Sequence, residues 1–95
     1  MRTRTHPGEI LREEFMIPLG LSANALSRAL DVPPNRITSI TAEERAVTPD
    51  TAIRLARYFD TTPQFWLNLQ TAHDLSAALV AHGAEINDRI RPHAA

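Results

Sequence analysis

Proline and glycine divide this chain into stretches of helical length, and no stretch between them alternates apolar and polar residues long enough to demand a strand. His6-Pro7-Gly8 opens a segment from Glu9 to Met16, in which Ile10, Leu11, Phe15 and Met16 fall at helical spacing opposite Arg12, Glu13 and Glu14. Pro18-Leu19-Gly20 ends it. Ser22 caps a second helix carrying Leu26, Ala29 and Leu30, and Asp31-Val32-Pro33 breaks that helix. Pro34 suits the first turn of a third, short helix with Ile37 and Ile40 on one side. Residues 41–47 read as a frayed end or loop. Thr48-Pro49-Asp50 is a strong start, combining a cap, a proline in the first turn and an acid at the positive helix end. Ala52, Ile53, Leu55, Ala56 and Phe59 line this fourth helix. Thr62-Pro63 repeats the signal for a fifth, which carries Phe65, Trp66, Leu69, Ala72, Leu75 and Leu79 and is expected to run to about Ala81, before His82-Gly83. Ile86 and Ile90 offer one further weak turn ahead of a tail.

With 95 residues, 43% of them hydrophobic and 22% charged, the chain has room for one domain and enough apolar material for a core. Cysteine is absent, which excludes a disulfide scaffold, a thiolate metal site and a cysteine nucleophile. No apolar run approaches the roughly 20 residues of a membrane span. The basic start has no apolar segment behind it, so no secretory signal is read and a cytoplasmic location is expected. All ten basic residues are arginine, and the net charge is −1. That balance excludes a polybasic nucleic-acid or membrane surface. It leaves room for a locally shaped DNA reader, since arginine is the residue best suited to bidentate contacts with guanine or phosphate.

The stretch from Ser22 to Ile40 carries the functional signal. Small Ala25 and Ala29 on one helix, Val32 in the turn, and Ile37 and Ile40 on the next would let two helices cross closely at a wide angle, as in a helix-turn-helix. The second of them then projects Asn35, Arg36, Thr38 and Ser39 outward. Asparagine can read adenine with two hydrogen bonds, arginine can read guanine, and hydroxyls suit phosphates or base edges. On this pattern alone, an ordinary pair of packed helices with a solvated polar face accounts for the residues about as well.

The flanking residues go further. His6-Pro7-Gly8-Glu9-Ile10-Leu11-Arg12-Glu13-Glu14-Phe15, Pro18-Leu19-Gly20-Leu21-Ser22 and Val32-Pro33-Pro34-Asn35-Arg36-Ile37 resemble the HigA family of addiction-module antitoxins. So do residues 48–59 and the run Thr62-Pro63-Gln64-Phe65-Trp66-Leu67-Asn68-Leu69-Gln70. The resemblance implies an all-α fold: a five-helix Xre or lambda-repressor-like helix-turn-helix domain over residues 1–81, its helix-turn-helix at about 22–41, with a short C-terminal extension over 82–95. It also implies an antitoxin and autorepressor, not an enzyme, that dimerises, binds its own operator DNA and neutralises a RelE-like, mRNA-cleaving toxin of the HigB kind. A stand-alone Xre-type regulator, or an interaction module with weakened DNA binding, is the alternative. Where the family carries a basic residue with a glycine after the third helix, this chain has Ala42-Glu43-Glu44-Arg45-Ala46. Arg28, Arg36 and Arg45 then only balance Asp31, Glu43 and Glu44, so operator binding weaker or more narrowly placed than the family norm is expected.

From their positions at the helix starts, Asn35, Arg36 and Ser39 are expected in the major groove, with Ser22, Asn24, Thr38 and Arg45 on the backbone. Phe65, Trp66, Leu69, Leu79 and Val80 are expected to hold a homodimer. His6, His73, His82 and His93 lack metal-ligand spacing, and neither a metal nor any other cofactor is expected. Glu13 and Glu14, as neighbours on a helix, do not face each other and read as a solvated face.

Overall fold

The computed structural model describes residues 3–94, and all the regular elements among them are helices. Helix α1 covers residues 7–19 as three consecutive pieces: α-helical Pro7–Ile10, a π-helical stretch Leu11–Met16, and Ile17–Leu19. Then follow α2 (Ala23–Leu30), α3 (Pro34–Thr41), α4 (Pro49–Phe59) and α5 (Pro63–Arg89).

The starts are built as the sequence predicts. Ser22, Thr48 and Thr62 each accept a hydrogen bond from the backbone N–H three residues on. His6 caps two residues on, its Nδ1 accepting from Gly8 N–H at 2.8 Å. Proline opens α1, α3, α4 and α5, where a missing N–H costs nothing. The one proline inside a helix is Pro18. It follows the π-helical stretch, where Ile17 N–H donates to Arg12 five residues back. The wider turn shifts the hydrogen-bond register by one residue just where proline supplies no donor and its ring needs space.

Four helices end on the same reversal. Gly20, Asp31, Glu43 and Asp60 sit in the left-handed region at φ 63°, 57°, 63° and 56°. The N–H of the residue after each returns to a carbonyl five residues earlier: Leu21 to Met16, Val32 to Ser27, Glu44 to Ser39 and Thr61 to Ala56. Only Gly20 is free of the Cβ penalty there. Three carboxylates thus sit at the negative ends of helices in a conformation that favours glycine. Glu43→Gly is therefore expected to stabilise the fold by about 1 kcal/mol, seen as a raised urea midpoint at unchanged slope. A lowered midpoint would show that Glu43 gains more from its surroundings than its backbone loses.

The core gathers Leu11, Leu26, Ile37, Ile40, Ala52, Leu55 and Trp66, all fully buried. Phe15 closes it over Phe59 and Trp66, at ring-centroid distances of 4.8 and 5.1 Å. The indole N–H of Trp66 donates to Thr61 Oγ1 at 2.8 Å, so the buried ring leaves no orphan donor. Gly8 fixes how α1 meets α3: a Cβ there would lie 1.8 Å from the carbonyl oxygen of Ile40. Any side chain would push the two helices apart.

Two expectations change. Trp66, assigned to the dimer face from its place in an apolar stripe, is buried inside one chain and has no surface to offer a partner. Helix α5 does not stop near Ala81 but continues through His82 and Gly83 to Arg89. Gly83 costs about 1 kcal/mol against alanine in a helix interior. Flanking alanines propagate the helix well, and Glu85 pairs with Arg89 at i,i+4 (3.6 Å) and lies 4.0 Å from His82.

The N-terminal residues lie across the middle of α5. Arg4 N–H donates to Ser76 Oγ, His73 Nδ1 lies 2.8 Å from the Arg4 carbonyl, and the rings of His6 and His73 meet edge to face at 4.8 Å. Burial and the adjacent His73 hold the His6 pKa below its ordinary 6.5, against a weaker opposing pull from Glu43 and Asp74. The unfolded chain therefore binds a proton that the folded chain resists. The contribution of His6 to stability is complete above 6.5 and is lost as pH falls through the lower folded value. His6→Asn keeps a capping acceptor without titrating. It is expected to flatten the loss of urea stability between pH 7.5 and 5; an unchanged loss would place the sensitivity in other groups.

Candidate nucleic-acid interface

Helices α2 and α3 cross through Leu26, Ser27, Leu30, Ile37 and Ile40, all buried. The small residue at the crossing is Ser27, whose hydroxyl donates to the Asn24 carbonyl at 2.8 Å. Ala29, expected there, faces out, and Ala25 is half-buried. Val32 and Ile37 fill the corner as the spacing predicts: Ile37 is fully buried and Val32 packs against the core.

Residues outside the motif brace both of its helices. Arg12 Nη1 donates to the Thr41 carbonyl at the end of α3. Arg54 Nη1 donates to the carbonyls of Leu30 (2.8 Å) and Asp31 (3.1 Å) at the end of α2. Each arginine thus satisfies the orphan carbonyls of a C-terminus and sets a cation against its negative end. Arg54 Nε also reaches Asp50 Oδ2 at 3.0 Å, and the same oxygen accepts from Arg36 Nη1 at 3.1 Å. One continuous chain of contacts runs from the end of α2, through α4, to the exposed helix α3. The loop after α3 is held separately: buried Gln70 on α5 accepts from Val47 N–H at 2.7 Å and donates to Asp74 at 2.9 Å.

Against this scaffold the expected site residues divide. Asn35 and Thr38 are exposed on α3, while Arg36 and Ser39 are half-buried at its edges. Thr38 Oγ1 lies 3.3 Å from the Asn35 carbonyl and Thr41 Oγ1 donates to Ile37 at 3.0 Å, so hydroxyls help satisfy a helix of low intrinsic propensity. Ser22 and Asn24 are exposed at the start of α2, although the Ser22 hydroxyl is committed to capping. Arg45 is exposed and lines a shallow hollow with Arg36, Thr48, Asp50 and Thr51. Glu43 and Glu44 are exposed beside it. On the other stripe, Phe65, Leu79 and Val80 are exposed and Leu69 is half-buried against the core.

The sequence reasoning missed the braces. Asp50 and Arg54 stand at i,i+4 with opposite charge, a legible pair, but nothing local shows that Arg36 joins them from 14 residues away. The meeting of His6 with His73 was equally out of reach. Among the described residues no group of three or more His, Asp or Glu side chains is placed to hold a metal ion, and no helix is long and apolar enough to cross a membrane.

The helix-turn-helix family pattern matches residues 11–66. Virulence-associated protein I of Dichelobacter nodosus is 60% identical over 73 residues, spanning 77% of this chain and 68% of that one. The solved structure of the Pseudomonas aeruginosa antitoxin HigA with the higBA promoter is 46% identical, with a TM-score of 0.93 over 98% of this chain and 100% of that one. The antitoxin GraA in complex with its operator is 50% identical, with a TM-score of 0.93 over 100% of this chain and 95% of that one. Sequence and fold agree over nearly the whole length, and the chain belongs to the helix-turn-helix family, in its HigA-like antitoxin branch.

Proposed function

We propose that this chain is the antitoxin and autorepressor of a toxin–antitoxin pair in the cytoplasm. Two copies bind the promoter of their own operon, and the same protein neutralises a RelE-like, HigB-type toxin that cleaves mRNA. The observation that carries the DNA half is the outward face of α3, with Asn35, Arg36, Thr38 and Ser39 on a helix whose C-terminus is held by Arg12 of α1 and whose Arg36 is held by Asp50 of α4. In this reading Asn35, Arg36 and Ser39 address bases, and Asn24, Thr38, Arg45 and the N-terminus of α2 meet phosphates. Two relatives of the same fold solved with promoter or operator DNA support it.

The dimer rests on α5. Beyond Ser76 none of its residues is buried. Leu75, Leu79, Ile86 and Ile90 are 58%, 43%, 51% and 66% exposed. At about 100° per residue Leu75, Leu79 and Ile86 fall within about 40° of one another, which makes one narrow apolar stripe, and Ile90 follows just past the last helical residue. A helical segment of this length is marginal in water without a partner. The chain exposes 6519 Å², against about 5,500 Å² for a compact monomer of its mass. Phe65 lies near the margin of the stripe, whereas Val80 is exposed about 100° round the helix from Leu79 and Leu69 packs partly against the core. With a net charge of −1 the chain has little non-specific hold on DNA, and two linked recognition helices make up for it.

The toxin half is tested in cells. A reading frame for a HigB-type ribonuclease is expected beside this gene; its expression is expected to arrest growth, and co-expression of this chain to relieve the arrest. Operator binding without relief would identify a stand-alone regulator instead.

A further inference from the structure

We infer that Asp50 is a specificity-determining residue that acts through Arg36, and this inference rests on the DNA reading above. Asp50 lies at the start of α4, outside the helix-turn-helix, and its Oδ2 takes hydrogen bonds from two arginines: Arg36 on α3 at 3.1 Å and Arg54 on its own helix at 3.0 Å. Arg54 is itself fixed by the carbonyls that end α2. The carboxylate is therefore tethered from behind, and it holds Arg36 from a defined side.

A free arginine on a recognition helix is a long, mobile cation that reaches whichever phosphate or base acceptor comes nearest. Here Nη1 of Arg36 is engaged, and Nε and Nη2 have no other protein partner among the described residues. Guanine presents two acceptors, O6 and N7, that match the remaining donors of such a fork. A phosphate can recruit Arg36 only by pulling it off Asp50 and leaving a carboxylate facing the polyanion. Asp50 thus makes non-specific contact harder and leaves the specific contact pre-oriented. The pair is open to solvent, with side chains 30% and 59% exposed for Arg36 and Asp50, so it biases the arginine without locking it.

The test compares two duplexes of equal length, the promoter of the chain's own operon and a scrambled sequence, by fluorescence anisotropy at several salt concentrations. Asp50→Asn is expected to tighten binding to the scrambled duplex about 5–10-fold and to the promoter by no more than about 2-fold, so that discrimination shrinks. The salt slope on the scrambled duplex should steepen by about one unit as Arg36 gains a phosphate. Asp50→Glu should restore most of the discrimination. In an Arg36→Ala background, Asp50→Asn should change the ratio no further, which separates action through Arg36 from direct repulsion of DNA. Asp50→Ser gives the same readout with a good helix-start residue, should the amide variant fail to fold. An unchanged ratio in Asp50→Asn and Asp50→Ser, or a change that persists without Arg36, overturns the inference and leaves the DNA reading standing. A wild-type chain with no preference for its promoter overturns both.

Discussion

Replacing Leu79 and Ile86 together by aspartate is expected to leave a folded monomer whose operator affinity is lower by about two orders of magnitude or more. Both side chains are exposed in the single chain, so no core contact is lost. The cost within the monomer is limited to helix propensity, about 0.5 kcal/mol per position. In a dimer formed along α5, the same changes would place carboxylates against a partner's apolar stripe, where an unpaired charge loses its hydration without compensation. Each recognition helix would then bind alone and lose the effective concentration that its twin supplies. Sedimentation reads the first effect and anisotropy titration the second. A wild-type chain that sediments as a monomer at micromolar concentration and still binds its promoter tightly would remove α5 as the assembly element.

Trp66→Ala has the larger expected effect on stability. Its ring is fully buried among Phe15, Phe59 and Phe65, and its N–H is satisfied by Thr61. Truncation of a buried aromatic of this size costs about 3–5 kcal/mol, a large part of the 5–15 kcal/mol typical of a small domain. A fall in melting temperature of about 15 °C or more follows. Trp66→Phe retains most of the packing and should lose much less. If Trp66→Ala instead melted like the wild type but dissociated, the residue would belong to the interface and its placement in the core would be wrong.

The contrast between Trp66 and Leu79 shows what was legible in the sequence. Both lie on an apolar stripe of one helix, and periodicity gives the stripe without saying what covers it. Helix α5 is long enough to pass from the domain core into solvent, and that passage, near Ser76, is set by where the other four helices end. The helix starts were legible because they are local chemistry: Ser22, Thr48 and Thr62 cap within three residues, and proline follows at 49 and 63. The far end of α5 was not, because a glycine in a run of good helix formers stops some helices and is carried by others. The outward residues of α3 could be named because Ile37 and Ile40 fix which side faces in. Their electrostatic setting could not, since Asp50 and Arg54 arrive from another helix. The acids at Glu43 and Glu44 were visible, but the left-handed backbone at Glu43 depends on how α3 ends.

Hydroxyl-radical footprinting of the promoter of the chain's own operon, with the bound stoichiometry measured alongside, separates a dimeric reader from a single chain on DNA. Two chains per site are expected, with protected stretches related by a two-fold axis and centred one helical turn, about 10 base pairs, or a whole multiple of it apart. Protection should weaken at one base position in each half-site when Arg36 is replaced by alanine. One chain per site, protection without two-fold symmetry, or no protection at all would contradict a dimeric repressor that reads DNA through α3.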